Sequence, residues 1–180
     1  MKRIPLLALA LTLLLAWSTP LPVGAASKYK ACSLLTAAEL GAALGAKVDR
    51  SVERDIVIDE GPYKGETMSS CDWVIGGATH VSLSVIRQVL SGEQRAAGLA
   101  KLRQALEDLK KQGWTVESAN IAGAACSTAR PPASESSALP LVGCFMESKG
   151  FAFSVYVVTR ATVTPQQVKA LADKAAARLP

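Results

Sequence analysis

Four cysteines are the residues of this chain whose chemistry depends most on their surroundings. They are Cys32, Cys71, Cys126 and Cys144. A thiolate can act as a nucleophile or bind a metal, whereas paired cysteines form disulfides. The chain has no C-x-x-C spacing, and its only histidine, His80, is not near any cysteine in sequence. We therefore expect no metal site.

The first 26 residues have the parts of a secretory signal peptide. Residues 1–3 give a positive start, residues 4–17 are apolar, and small residues follow. A retained membrane anchor is the less favoured alternative, because the apolar run is shorter than the roughly 20 residues of a spanning helix. We expect cleavage after Ala25 or Ala26. This leaves one exported domain, 27–180, periplasmic or secreted and without a membrane span.

Export would place the four cysteines in an oxidising compartment, where an even number indicates disulfides. Four cysteines allow three pairings. We favour Cys32–Cys71 with Cys126–Cys144, since each bridge then closes a local loop within one half of the chain. Each bridge could contribute on the order of 3 kcal/mol by restricting the unfolded chain. No thiolate would remain for catalysis.

The charge of the chain is mildly basic, with 20 Lys+Arg against 15 Asp+Glu. Residues 1–26 hold two of the basic residues and no acidic one, so the exported domain has a net charge of +3 (18 − 15). No run of like charges forms the concentrated basic patch that nucleic-acid binding needs. The Gly76-Gly77 pair lies between strand patterns and does not open a helix as phosphate-binding loops do. We expect neither a nucleic-acid partner nor a cofactor.

Catalytic groups are few. His80 is the only candidate imidazole base, and no G-x-S-x-G is present, so a serine hydrolase is disfavoured. A group of carboxylates could supply an acid/base pair for glycoside cleavage: Asp55, Asp59, Glu60, Glu66 and Asp72. Their spacing does not fix two of them across a substrate, and we favour a solvated strand edge and loop. Enzyme activity stays open, with a non-enzymatic function preferred.

Three segments carry helix signals. Thr36 and Glu39 form a capping box for a helix over 37–44, and the sequence T-P-Q-Q at 164–167 does the same near the end of the chain. An apolar stripe then follows one face of this last helix: Val168, Leu171, Ala172, Ala175 and Leu179. A third helix starts at Ser91. It carries a leucine stripe that we predict to face the core, with a groove for a partner helix as the alternative; the leucines are Leu99, Leu102, Leu106 and Leu109.

Strand patterns lie between the helices. They cover 48–58, 67–75, 80–87, 114–121, 141–147 and 151–159. Tight turns are predicted at Gly76-Gly77 and Lys149-Gly150, and a polar loop at 127–140. This order predicts an α+β domain with a mostly antiparallel sheet and helices packed on one face. Residues 71–87 and 144–160 align without gaps, which suggests two similar halves.

The opening C-S-L-L-T-x-x-E-L-x-x-x-L-G, followed by S-C-D-W and a strand that alternates Val and Ser, resembles small exported bacterial proteins of unknown function. Such openings are common among actinobacterial secreted proteins and lipoproteins. The resemblance covers the first helix and hairpin well and the second half loosely. This chain lacks the lipidation cysteine. The resemblance implies an envelope location and a fold, and no reaction.

Loops and aromatic residues are the remaining candidates for binding. The turn-rich loop 61–65 contains Tyr63 and Lys64, and we group it with Trp73, Trp114 and Arg130 as candidate contacts. We predict a non-enzymatic domain that binds an envelope protein or a small ligand. The alternatives are a carboxylate-based hydrolase and an inhibitor or immunity-type protein, which would need a protruding loop between Cys126 and Cys144.

Overall fold

The computed structural model of the protein describes residues 29–61, 63–87, 91–135 and 137–180. The expected signal peptide lies outside these residues. These described residues form three α-helices and seven strands, preceded by a 3₁₀ turn at Ala31–Ser33. The elements are α1 Ala37–Leu44, β1 Val48–Val57, β2 Thr67–Ile75, β3 Thr79–Ile86, α2 Gly92–Lys111, β4 Thr115–Ile121, β5 Ala124–Arg130, β6 Leu141–Ser148, β7 Phe151–Val158 and α3 Pro165–Ala177.

The seven strands form one antiparallel sheet in the order β1-β2-β3-β7-β6-β5-β4. The first three strands make one half and the last four make the other, and the halves join where β3 pairs with β7. The predicted α+β class and antiparallel sheet are confirmed. Strands β1 and β4 are the two edges of the sheet.

The sheet has two unlike faces. On the core face, alternate residues of the central strands are fully buried, among them Trp73 on β2, Leu83 on β3 and Val155 on β7. The 3₁₀ turn, α1 and α3 supply the other side of this core. The opposite face, called the open face below, carries the residues between them, such as Asp72, Ser84 and Tyr156.

The helix starts predicted from capping boxes are confirmed. At α1, the Thr36 hydroxyl accepts from the Glu39 N–H at 3.2 Å, and a Glu39 carboxylate oxygen accepts from the Thr36 N–H at 2.9 Å. Helix α1 ends at Gly45, whose φ of 74° suits glycine. Helix α3 begins with the same motif and buries its predicted stripe, Val168, Leu171, Ala172 and Ala175, and Leu179 is buried just after the helix ends.

The leucine stripe of α2 does not face the core, and that prediction was wrong. The helix begins at the predicted cap, Ser91, but its four leucines at 99, 102, 106 and 109 are only half-buried. Helix α3 packs on the core face against β5, β6 and β7. Helix α3 therefore already covers the core face at these strands, and α2 lies against the open face.

Strand β5 was not predicted. Residues 127–130 belong to this strand, so the loop predicted at 127–140 is limited to 131–140. The strand A-A-C-S-T-A-R is built from small residues, which have a weaker preference for strands than Val or Ile. Its hairpin turn also lacks a glycine at the first position, where Ala122 adopts a φ of 46°. The Asn120 side-chain oxygen supports this turn by accepting from the Gly123 N–H at 3.1 Å.

The predicted internal repeat is present in the first strand of each hairpin but is lost after the turn. Both aligned segments are hairpins, β2–β3 and β6–β7, but the first turn has three residues (76–78) and the second has two, Lys149-Gly150. The second strands are therefore out of step by one residue. Leu83 aligns with Tyr156, yet Leu83 lies on the core face and Tyr156 on the open face. A one-residue shift reverses the face of every side chain.

Both favoured disulfides are present. The Cys32–Cys71 bridge joins the 3₁₀ turn to β2 across 39 residues of sequence. The Cys126–Cys144 bridge joins directly opposed positions of β5 and β6, 18 residues apart. All four cysteines are thus in disulfides. Within the described residues, no helix has the length and apolarity to cross a membrane.

The start of α1 is tied to the end of α3 by one ion pair. The Arg178 guanidinium donates to both carboxylate oxygens of Glu39, at 2.7 and 2.9 Å, and to the Leu34 carbonyl oxygen at 2.8 Å. These bonds from Arg178, with that from the Thr36 N–H, lower the pKa of Glu39 from 4.5 to about 2. The pair links residues 139 positions apart in sequence.

We predict that Glu39→Gln removes part of the acid sensitivity of folding. A lowered folded-state pKa adds stability above pH 4.5, and this contribution is lost as the pH falls towards 2. The variant keeps an oxygen for the cap but loses the charge, so it should be about 1 kcal/mol less stable at pH 7 and equal to the parent near pH 2. Urea unfolding at both pH values measures this. Glu117→Gln, which removes an exposed pair with Arg130, is the control. Equal losses at both pH values would contradict the assignment.

Candidate functional site

The residues predicted to contact a ligand do not come together. Trp73 is 3% exposed and belongs to the hydrophobic core, so it is closed to a ligand. Tyr63 and Lys64 lie in the β1–β2 loop, where Tyr63 is half-buried and Lys64 is exposed. Trp114 is half-buried between α2 and β4. Arg130 is exposed at the end of β5, 3.4 Å from Glu117.

Helix α2 lies over the open face of β4 and β5. Ser118 is paired with Ser127, and Asn120 with Ala125, at positions that alternate with Cys126. Because Cys126 points into the core, the side chains of these four residues point to the open face. The same four residues line a cavity together with the leucines of α2.

This cavity, called the α2 cavity below, has a volume of about 330 Å³. Its helix wall carries an apolar stripe interrupted by one charge, Leu99, Leu102, Arg103 and Leu106. Its sheet wall carries Ser118, Ala119, Asn120, Ala125, Cys126 and Ser127. The volume is at the lower end of the range found for small-molecule sites.

The size of the side chains explains why the space is not filled. The sheet wall is made of alanine, serine and asparagine, which extend a short distance from the backbone. The leucines of α2 stand across from them and remain half-buried, whereas the leucines of α3 are fully buried. Well-packed proteins leave few voids larger than a water molecule. The α2 cavity is therefore a half-open groove between the helix and the sheet, not a void enclosed in the core.

The polar groups of the cavity have few partners within the protein. Within the described ranges, Arg103 makes no hydrogen bond or ion pair, and neither the Ser118 nor the Ser127 hydroxyl is hydrogen-bonded. Asn120 uses its side-chain oxygen to support the β4–β5 turn. A guanidinium and two hydroxyls are thus available beside an apolar wall.

The rest of the open face is covered in part by the β1–β2 loop. Tyr63 of this loop lines a smaller cavity of about 170 Å³ with Met68, Ile86 and Phe145. Residue Ile86 is only 6% exposed, although it lies on the open face. Tyr63 therefore belongs to a packed corner of the open face, at a distance along the sheet from Trp114 and Arg130.

Tyr156 covers the middle of the open face. It is paired with Gly143 on β6, and a Cβ on that glycine would stand 2.3 Å from the tyrosine ring. The ring thus occupies the space that any other residue at 143 would need. Burial raises the pKa of the Tyr156 hydroxyl, against a smaller lowering by a hydrogen bond with Ser154.

A shallow depression of about 320 Å³ lies beyond Tyr156, towards the β1 edge. It is lined by Arg50, Val52, Arg54, Asp72, Val74, His80, Val81, Ser82, Tyr156 and Val158. His80 is exposed, and Asp72 pairs with Arg54 at 3.8 Å. The histidine thus lies on an open surface that already contains an ion pair.

The carboxylates considered for hydrolysis do not form a pair across a cleft. Asp55 and Asp72 lie on opposite faces of the sheet, with Asp55 3.2 Å from Lys30. Asp59, Glu60 and Glu66 are exposed in the β1–β2 loop. Within the described ranges, no group of three or more His, Cys, Asp or Glu residues is placed to hold a metal ion.

Two carboxyl groups have a clearly displaced pKa, and both are lowered. Glu39 is held by Arg178, and the pKa of Asp108 is lowered by hydrogen bonds from Lys111 and Gln104. A general acid needs the opposite displacement, since it must keep its proton near neutral pH. These two groups therefore have structural roles at helix ends.

The loop between the second pair of cysteines is held at both of its ends. Pro131, Pro132 and Leu139 at its two ends are half-buried, and the Thr159 N–H donates to the Pro140 carbonyl oxygen at 3.0 Å. Only the middle of the loop, at 133–135 and 137, is exposed. The loop is thus anchored at both ends, and its described middle residues are accessible.

The comparisons with known proteins give no further guide to this site: no protein-family model matches the chain, and no curated protein matches it.

The residues of the α2 cavity were not identified from the sequence as a site. Arg103 was the available signal, because it falls within the leucine stripe: positions 99, 102, 103 and 106 share one face of a helix. A charged residue at such a position indicates that the stripe is not sealed in a core. The sheet wall gave no signal, because β5 itself was not predicted.

Proposed function

We propose that this chain is an exported, non-enzymatic binding domain of the bacterial envelope and that it binds a small ligand in the α2 cavity. The observation that carries the proposal is the half-buried leucine stripe of α2, which faces a wall of small residues across about 330 Å³. Full burial of one leucine side chain is worth about 1.5–3 kcal/mol. A ligand with apolar groups would recover part of this free energy.

Two features support export. The disulfides Cys32–Cys71 and Cys126–Cys144 are compatible with an oxidising compartment. The opening of the chain resembles small exported bacterial proteins, and residues 1–26 have the pattern of a signal peptide. Together these features support an envelope location.

The non-enzymatic assignment is supported by the chemistry of the cavity. Its side chains include no carboxylate, histidine or free thiol; its polar groups are one guanidinium, two hydroxyls and one amide. These groups bind and orient a ligand, but a side chain that transfers a proton near neutral pH is not among them.

We predict that a fusion of residues 1–40 to alkaline phosphatase is active in bacterial cells. That reporter needs disulfides formed outside the cytoplasm, so activity reports export. Leu13→Arg with Leu14→Arg, which breaks the apolar run, is the matched control and should abolish activity. Equal activity of the two fusions, or none in either, would count against export by this segment.

We predict that a neutral fluorescent probe, N-phenyl-1-naphthylamine, binds the purified exported chain with an increase in emission, because the cavity shields it from water. Ala125→Phe should abolish this signal by filling the cavity from the sheet wall. Ala105→Phe adds the same ring on the exposed side of α2 and should leave the signal intact. Circular dichroism checks that both variants fold. Unchanged emission with the first variant would refute the site.

A further inference from the structure

We propose that the ligand of the α2 cavity is a small monocarboxylate with an unbranched apolar chain, held by Arg103 at the carboxylate and by the leucines of α2 along the chain. This inference rests on the proposed function and names the chemical class of its ligand. It is drawn from the charge, the volume and the order of side chains around the cavity.

The first observation concerns the acidic partners of the basic residues on α2. The basic residues of the last turn of α2 have acidic partners on the same helix, Lys110 with Glu107 at 2.7 Å and Lys111 with Asp108 at 2.9 Å. Arg103 has none within the described part of the chain, and it is exposed on the side of α2 that lines the cavity. A cation in this position is available to an external anion.

The second observation is that Arg103 is the single charge of the cavity. Every other lining residue is apolar or neutral. One guanidinium balances one negative charge, and its planar fork matches a carboxylate with two parallel hydrogen bonds. A phosphate dianion would leave one charge without a partner, so the single arginine favours a monocarboxylate.

The third observation is the arrangement of polar and apolar groups. Leu99 and Leu106 are on either side of Arg103 along the same face of α2, so apolar surface continues past the charge. The Ser118 and Ser127 hydroxyls, opposed on neighbouring strands, provide further hydrogen-bond donors. A ligand that is charged at one end and apolar along its length matches both the guanidinium and the leucines.

The volume of the cavity guides the choice of the probe. About 330 Å³ corresponds to about 11 water-sized groups at roughly 30 Å³ each. A carboxylate with a chain of about eight to ten carbons has this size. Decanoate is therefore the probe of choice.

Decanoate binding to the purified exported chain, measured by isothermal titration calorimetry, tests the inference. Decanol, with the same chain and no charge, and decyltrimethylammonium, with the opposite charge, are the comparison ligands. We expect decanoate to bind at least about tenfold more tightly than either, since one charge-assisted hydrogen-bond pair discriminates by that factor.

Variants assign the effect to Arg103. Arg103→Gln should weaken decanoate binding about tenfold or more and leave decanol binding unchanged, and Arg103→Lys should restore part of the loss. Lys101→Gln removes a positive charge from the same helix outside the cavity lining, and it should have no effect beyond a small, salt-screened one.

The outcomes separate this inference from the proposed function. If decanol and decanoate bind equally and only Ala125→Phe blocks them, the cavity is a binding site but the carboxylate assignment is wrong. If decyltrimethylammonium binds best, the assignment is also overturned. If no probe binds and Ala125→Phe changes nothing, both the inference and the proposed function fail.

Discussion

The two faces of the sheet are covered by apolar side chains to different degrees. This difference determines how the remaining elements pack. The core face is sealed by α1, α3 and the 3₁₀ turn, and it contains the largest buried side chains. The open face is covered by α2 at one end and by the β1–β2 loop at the other, and neither seals it. The cavity, the half-buried leucines and the exposure of Arg103 all follow from this incomplete cover.

The small residues on β4 and β5 have two consequences with the same cause. Strand β5 offers little apolar area on either face, so packing alone holds it weakly, and the Cys126–Cys144 bridge attaches it to β6. The same short side chains leave room below α2 on the open face. A covalent bond thus attaches the strand at the place where its small side chains leave the α2 cavity open.

The elements that could be predicted are those whose signals are local. The capping boxes at Thr36 and Thr164, the stripe of α3 and the favoured disulfide pairs depend on residues close in sequence or within one half of the chain. The leucine stripe of α2 was predicted as a helix but assigned to the wrong face. Periodicity tells which residues share a face, and it does not tell which layer that face meets.

The positions of the candidate site residues could not be predicted, because they depend on strand register and on a hairpin turn that the sequence does not indicate. Trp73 is aromatic and adjacent to a polar residue, yet the register of β2 turns it into the core. The β4–β5 hairpin is concealed by an alanine with positive φ, so the sheet wall of the cavity could not be anticipated. Arg103 could be identified within the leucine stripe, but its role depends on the residues of the sheet wall, which could not be predicted.

Native-state hydrogen exchange of the ligand-free protein tests the central claim, that α2 covers the open face incompletely. If this is correct, the amides of α2 exchange through a local opening of lower free energy than the global unfolding that exposes α3 and the central strands. The difference should persist with both disulfides intact. Exchange of α2 only together with α3, at the free energy of global unfolding, would show that α2 is part of a sealed core and would contradict the account.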